Sequence, residues 1–410
     1  MKRTCIVSAP VDTYSGYGAR SRDIVKGLID QYPDWDIKIV SQRWGQTSFG
    51  FLEDHGLKEI SDKVVASLTY KPDIWIQITV PNEFKPIGRY NIGITAGIET
   101  TVCDDTWIDG VNRMDLVITS SEHSKKVFEE TEYIGKRKGV KATTPIQVLF
   151  EGVDTDIYYE RKGEDLLPLS EVKNNFCFLV IGHWMQGSYG HDRKNISYTI
   201  KTFLEAFKTT STPPALLLKV QKGAPSIMDR EKVLEGINQI KEYVGGSVPD
   251  IYLLHGDLTD SEINALYNHD KVKAMVSLTK GEGFGRPLLE FSVTGKPILC
   301  SDWSGPKDFL DPKYVTLLPG GIHNVHKSAS VEKVLLQDSK WFQPNEKAVK
   351  DSLKDVFKNY KKYTKKSKSQ RTKTLKEFTL DAMNNKLKDI LDRNLPEFAT
   401  EVTLNLPKLN

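Results

Sequence analysis

Short apolar runs alternate with amphipathic segments from the first residues of this chain, and the alternation occurs twice. Thr4–Ala9, Asp36–Ser41, Asp73–Thr79, Asn91–Thr95, Asp115–Thr119 and Ile146–Phe150 read as strands, with helices over Gly18–Gln31, Leu57–Leu68 and Ser121–Glu130. Strands separated in this way pair in parallel, with helices covering both faces of the sheet. Glu151–Ser170 breaks the rhythm and is polar without a sustained period, as an interdomain connection would be. A second series follows. Strands are expected over Phe176–Ile181, Ala215–Val220, Ile251–Leu254, Ala274–Leu278 and Pro297–Cys300, and helices over Asn195–Lys208, Ser226–Val244, Ser261–Asn268 and Pro287–Thr294. At 410 residues the chain exceeds what a single core supports. The expected division is a first α/β domain over 1–160, a second over 161–345 and a tail over 346–410.

The 57 Lys and Arg nearly cancel the 54 Asp and Glu, giving a formal charge of +3. That balance excludes a uniformly basic packaging protein but conceals a separation. Lys354–Lys376 holds ten basic residues against one acid, Asp355, a local charge of +9 that leaves −6 for the remainder. Leu353, Val356, Phe357 and Tyr360 are spaced for one helical face in this tail. The others are basic, suiting either a solvated helix or a polyanion-binding surface. Cys5, Cys103, Cys177 and Cys300 form no C-x-x-C pair, so buried free thiols in a reducing compartment are expected. No run approaches the roughly 18 apolar residues of a membrane span, and the N-terminal apolar stretch is too short for a signal peptide. A cytoplasmic protein with no transmembrane segment is expected.

The stretch with most chemistry is K-G-E-G-F-G-R-P-L-L-E-F-S-V-T-G-K-P, Lys280–Pro297. Gly281, Gly283 and Gly285 make a loop whose backbone N–H groups can approach a ligand closely. Pro287 suits a first helical turn, and the start of that helix favours an anion. Glu282 lies in the loop and Glu290 eight residues on, in the helix. An anion site beside two carboxylates suits a ligand with both phosphate and hydroxyl groups, and a nucleotide-sugar has both. The alternative is an ordinary glycine-rich turn with two solvated glutamates.

This segment resembles the E-G-F-G-x-P-x-L-E signature of the retaining glycosyltransferase family four, which has the GT-B fold of two Rossmann-like domains facing a cleft. Weaker matches fall in the right order: Ser15-Gly16-Tyr17-Gly18 opening the first helix, V-I-T-S-S-E-H-S at Val117–Ser124, V-L-F-E-G-V-D at Val148–Asp154, D-R-K-N at Asp192–Asn195 and L-H-G at Leu254–Gly256. The resemblance implies a nucleotide-sugar donor, here expected to be UDP-linked, held by the second domain without a metal or other cofactor. It implies that Glu290 binds the ribose hydroxyls. Glu282 and the N–H groups of Gly283, Phe284 and Gly285 would contact the donor sugar and diphosphate, Arg193 and Lys194 would neutralise the diphosphate, and Gly16 and Gly18 would border the donor. Glu282, Lys194 and Glu99 are the catalytic candidates, Glu99 being placed near the acceptor by likeness to the "ET" of one branch. A C-terminal helix crossing back to the first domain is also implied.

The sequence departs from the family pattern at two points. His183 stands where an Arg often follows the first strand of the second domain, with an insert, Met185–His191, behind it. The strand end Thr95–Thr101 lacks the histidine often found in the first domain's cleft. Elsewhere, Asp34-Trp35-Asp36 and Asp154-Thr155-Asp156 read as turn or capping acids. His323 and His326 have no third ligand near them. Ser304-Gly305-Pro306 either touches the site or is only a turn.

The acceptor is the open question. Lys136, Arg137 and Lys138 form a basic loop in the first domain, and a basic tail crossing back would flank the same cleft. Two basic elements there suit a polyanionic acceptor, foremost DNA with hydroxymethylated bases as in bacteriophages, whose glycosyltransferases the Lys- and Asn-rich composition resembles; the chain would then act in host cytoplasm. A cell-envelope polysaccharide or lipid-linked glycan, with peripheral membrane contact, is the alternative. Other classes are a sugar-nucleotide epimerase or oxidoreductase on a similar frame, and a nucleic-acid-binding module without activity.

Overall fold

The computed structural model describes residues 2–45, 47–133, 139–161, 169–223 and 225–398. The first domain contains β1 (Thr4–Ala9), β2 (Asp36–Ser41), β3 (Ile74–Ile78), β4 (Tyr90–Thr95), β5 (Leu116–Thr119) and β6 (Ile146–Val148), all parallel, in the order β2-β1-β3-β4-β5-β6. The second contains β7 (Cys177–His183), β8 (Ala215–Gln221), β9 (Ile251–Leu254), β10 (Val272–Ser277), β11 (Ile298–Ser301) and β12 (Thr316–Leu318), also parallel, in the order β12-β11-β10-β7-β8-β9. Each sheet reverses its direction of growth once, between β1 and β3 and between β7 and β10. Open α/β sheets bind ligands outside the carboxyl ends of strands at such points. The two carboxyl edges face each other, which is the GT-B arrangement.

The strands are near-continuous apolar runs because both faces are covered. Val7, Ile76, Ile92 and Ile118 pack under the helix Gly16–Gln31 and under Met383, Leu387 and Leu391 of the last helix. One face of the second sheet buries Leu179, Leu217 and Met275 with Phe291, and the other buries Phe178, Leu216 and Ala274 with Phe203, Val349 and Leu353. All four cysteines are buried and free.

The expected helix over Leu57–Leu68 is mostly absent; only Lys58–Ser61 is helical. The Ile39 N–H donates to the Lys63 carbonyl at 2.9 Å, and the Val65 N–H donates to the Ile39 carbonyl at 2.8 Å. The edge strand β2 thus satisfies its outer backbone groups with this segment, and β-branched Val64 and Val65 suit that extended role better than a helical one. Sequence periodicity also misses the helix Asp105–Val111, the strand β12 and a hairpin of β13 (Gly320–Asn324) with β14 (Lys340–Pro344).

The tail is three helices. Glu346–Lys358 packs in the second core through Val349, Leu353 and Val356. The basic helix Tyr360–Glu377 lies on the second domain too: Thr374 Oγ1 is 2.7 Å from Ser292 Oγ, and Gln370 bonds the Phe309 carbonyl and Asp311 N–H at 2.9 Å each. Leu380–Asn394, where three acids balance three bases, crosses back to the first domain. The return occurs at Phe378–Leu380, well inside the 346–410 tail and not at its start. The two crossings lie side by side: the Val153 N–H donates to the Phe378 carbonyl at 2.9 Å and the Leu380 N–H to the Val153 carbonyl at 2.8 Å. A Cβ on Gly152 would sit 2.5 Å from Leu380 Cα and 2.7 Å from the Thr379 carbonyl oxygen, so only glycine lets the strands approach. Gly152→Ala is expected to cost roughly 1–3 kcal/mol in denaturant unfolding, since backbone must move. Gly182→Ala, whose Cβ meets nothing closer than 3.9 Å, should fall within about 0.5 kcal/mol of the parent.

Candidate active site

The loop after β7 presents the basic pair. Asp192 is fully buried, its Oδ2 accepting the Ile196 N–H at 2.9 Å and its Oδ1 the Ser197 hydroxyl at 3.0 Å. It caps the helix Ile196–Phe207 in place of Asn195, which is left-handed at φ 59° and makes no cap bond of its own. Asn195 Nδ2 instead donates to the Leu278 carbonyl at 2.9 Å, fastening this loop to the one after β10. Arg193 and Lys194 therefore project across the β7–β10 reversal. Lys194 Nζ lies 2.6 and 2.7 Å from the two Glu282 carboxylate oxygens. Arg193 Nη1 donates to the Gly281 carbonyl at 2.8 Å and lies 3.5 Å from Glu282 and 3.4 Å from Glu99 of the first domain.

The glycine loop is braced from behind. The Glu282 N–H donates to Ser304 Oγ at 2.9 Å, and the Gly305 N–H donates to the Glu282 carbonyl at 3.1 Å. Ser304-Gly305-Pro306 thus supports the site as well as turning the chain. A Cβ on Gly281 would lie 1.9 Å from the Glu99 carbonyl oxygen and one on Gly283 would lie 2.5 Å from that of Ala96. The loop needs glycine because the first domain presses against it. Gly285, at φ +106°, turns the chain into the helix Arg286–Ser292. The N–H groups of Gly283, Phe284 and Gly285 donate to no acceptor among the described residues. The Phe284 ring is buried against Phe309, so only its backbone faces the site.

Glu290 belongs to a neighbouring cluster. It accepts Arg286 Nε at 3.0 Å and the Tyr267 hydroxyl at 3.3 Å, and Arg286 Nη1 reaches Asp23 at 2.6 Å and Glu151 at 3.8 Å. Arg286 thus joins the first domain, the linker and the second domain. On the first-domain side, Ser15 Oγ accepts the Gly18 N–H at 2.9 Å, and a Cβ at Gly18 would meet the Thr13 carbonyl at 2.2 Å. Gly16 faces open space. The Tyr17 hydroxyl accepts the Ala96 N–H at 3.0 Å, coupling the start of this helix to the loop that carries Glu99.

Burial sets the charge states. It works against ionised Glu282, but Lys194 and Arg193 outweigh it and hold the carboxyl below its ordinary value. It works likewise against Arg193, where Glu99 and Glu282 prevail and raise the pKa. At Glu290 burial wins over Arg286 and pushes the carboxyl up to about 7. Lys280 is lowered to about 8 by burial, its ammonium held by Gln343 of β14.

Glu99, Arg193, Lys194, Glu282 and the Gly281–Gly285 loop are therefore brought together, with Glu290 flanking them. His183 does not join: it is exposed, its Nε2 2.6 Å from the Lys222 carbonyl. Asp154 makes a turn bond to the Asp156 N–H at 3.0 Å, and Asp36 pairs with Lys38. Lys136, Arg137 and Lys138 lie outside the described residues. Sequence reasoning missed Arg286, Asp23 and Tyr17. Arg286 stands at the variable position of the motif, where only its four-residue spacing from Glu290 could have marked it. Tyr17 is marked only by its place between the two glycines of the S-G-Y-G match, and Asp23 carries no local signal at all.

No family model and no curated protein sequence matches the chain. Solved structures do. A glycosyltransferase from Rickettsia africae superposes with a TM-score of 0.62 at 15% identity, covering 96% of this chain and 99% of that one. The sucrose-phosphate synthase of Thermosynechococcus elongatus gives 0.62 at 12% identity, covering 96% and 99%. Anabaena HepE in complex with UDP-glucose gives 0.61 at 13% identity, covering 95% and 99%. At such identities the likeness establishes the two-domain fold over nearly the whole chain.

The Glu290 environment makes a prediction. Its folded-state value lies above the ordinary carboxylate value, so the stability it contributes is complete below pH 4.5 and disappears as pH rises through about 7. The unfolding free energy of the parent relative to Glu290→Gln should fall by roughly 2–4 kcal/mol from pH 4.5 to 8 in urea titrations. A flat difference would show that Glu290 is ionised throughout.

Proposed function

We propose that this chain is a retaining glycosyltransferase that moves a sugar from a UDP-sugar to a hydroxyl on a glycan acceptor, without a metal. The observation that carries the reading is the quartet of Lys194, Arg193, Glu282 and Glu99 at the β7–β10 reversal, beside three backbone N–H groups that donate to no acceptor among the described residues. That set suits a diphosphate leaving group: two cations and a row of N–H dipoles are fixed before charge develops. Neighbours solved with UDP-glucose and with UDP-2-fluoro glucose, on a fold shared end to end, support the donor class.

In this reading the bond between the anomeric carbon and the diphosphate oxygen breaks, and the acceptor oxygen bonds that carbon on the same face. The acceptor proton passes to the departing phosphate. Lys194 and Arg193 turn from the carboxylates to the diphosphate, and Glu282 is freed to accept hydrogen bonds from the donor sugar. Glu290, ionised, accepts from the ribose hydroxyls. Glu99, the first-domain member, borders the acceptor.

The acceptor reading favours a glycan over DNA. The case for a hydroxymethylated base rested on two basic elements flanking one cleft. The basic helix Tyr360–Glu377 instead lies on the second domain, behind the helix Arg286–Ser292. An epimerase or oxidoreductase reading draws no separate support.

Titration of UDP-glucose by calorimetry, and UDP release with glycan and hydroxymethylcytosine-DNA acceptors, test the reading. Lys194→Ala should lower turnover about 100-fold or more. UDP-glucose affinity should rise about tenfold between pH 6 and 8 as Glu290 ionises, and Glu290→Gln should remove that dependence. Absence of saturable binding to any UDP-sugar, or an epimer formed without acceptor, would refute it. Transfer to DNA alone would replace the acceptor.

A further inference from the structure

A second cavity lies away from the cleft, on the outer flank of the second domain. It occupies about 480 Å³ between the helices Ile196–Phe207 and Ile227–Val244, under the Met185–His191 insert that departs from the family pattern. That volume falls within the ~300–1,000 Å³ of small-molecule sites.

Its lining has a definite chemistry. The indole of Trp184 forms the floor, 7% exposed, lying against Gly236, where a Cβ would meet the ring at 2.9 Å. Tyr189 and Tyr243 stand at the rim, 45% and 72% exposed, their ring centroids 5.9 Å apart. Gln239 and Lys222 supply polar groups among the rings, with the Lys222 ammonium 4.6 Å from the Trp184 ring centroid. Among the described residues no carboxylate lines it. The roof is not a loose loop. Gln186 Nε2 donates to the Ser328 and Ser330 carbonyls at 3.3 and 3.4 Å, the Ser188 N–H to Ser328 Oγ at 2.8 Å, and the Gly190 N–H to Ser197 Oγ at 2.9 Å.

Aromatic faces interleaved with an amide and an ammonium match a sugar ring, which offers apolar C–H faces and a rim of hydroxyls that both donate and accept. A nucleoside diphosphate would need a cradle of N–H groups and several cations, and this cavity offers one lysine. Lys222 bonds the Lys232 carbonyl at 3.4 Å and the Gln239 amide nitrogen bonds Glu235 at 3.2 Å, but an aliphatic ligand would leave the remaining Lys222 N–H groups and the Gln239 carbonyl without partners on desolvation. We infer that this cavity is a saccharide-binding site distinct from the donor cleft, taking a short neutral stretch of an acceptor chain. The inference rests on the glycosyl-transfer reading for its choice of ligand. Its role there is to hold a growing glycan on the enzyme, which raises the local concentration of the chain end without touching the chemistry. The roof runs directly into Asp192–Asn195, so an occupied cavity adjoins the loop of Arg193 and Lys194.

The test uses the full chain without nucleotide. Linear trisaccharides of glucose, galactose, mannose and N-acetylglucosamine are titrated while tryptophan fluorescence and calorimetry are followed. At least one should bind saturably, and Tyr243→Ala and Tyr189→Ala should each weaken it about tenfold, leaving UDP-glucose affinity unchanged. With a long acceptor Tyr243→Ala should raise KM and spare kcat, while a monosaccharide acceptor should be unaffected. The inference is overturned if none of the four trisaccharides binds, if binding survives both substitutions, or if UDP competes with it. Donor binding is measured separately, so a chain that binds UDP-glucose but no trisaccharide loses this inference alone, and one that binds trisaccharide but no UDP-sugar loses the transferase reading alone.

Discussion

Two arginines, each shared between the domains, govern this structure. Arg193 faces Glu99 of the first domain and Glu282 of the second, and Arg286 faces Asp23 of the first, Glu151 of the linker and Glu290 of the second. Removing such charges from water is costly, and the mutual attraction returns that cost only when geometry and hydrogen bonding are good. Here each guanidinium also has a directed bond, Arg193 to the Gly281 carbonyl and Arg286 to Glu290. The glycines of the loop follow from the same constraint, because pairing Arg193 with Glu99 brings the first domain's backbone within the space of a side chain.

This arrangement gives the closed cleft a chemical meaning. In the proposed reaction the cations that neutralise a diphosphate are the ones that carboxylates hold in its absence. Glu282 and Glu99 keep Arg193 charged, and Glu282 holds Lys194 beside it, so both cations already stand at the site when an anion arrives. The Lys280 ammonium, held by Gln343 of the hairpin, and the Thr101 N–H bonded to the Lys340 carbonyl at 2.9 Å bring a third element to the same seam.

The strands and the motif were legible in the sequence because their signals are local. Runs such as Cys177–Ile181 must be buried on both faces, and the spacing of Glu282, Gly283, Gly285, Pro287 and Glu290 is set by one turn and one helix. What escaped is long-range. Leu57–Leu68 has helical spacing, but the unpaired edge of β2 claims it. Asp23 looks like any helix residue until Arg286 arrives from 263 positions away. The basic run after Lys354 was visible as charge, while its seat on the second domain depends on Ser292, Phe309 and Asp311, none of which is marked as a partner.

The return of the last helix to the first domain also bears on how the chain is made. Met383, Leu387, Ile390 and Leu391 complete a core whose other members lie before residue 150. During synthesis N-terminal domains generally fold first as units. In this chain the first domain emerges with one side of its core covered only by the helix Gly16–Gln31, and the second, with its helices Glu346–Lys358 and Tyr360–Glu377, is complete before the rest of that side is covered. The order of completion is the reverse of the order of emergence, and part of the apolar face of β1, β3 and β4 must stay out of aggregation until Leu380–Asn394 has left the ribosome.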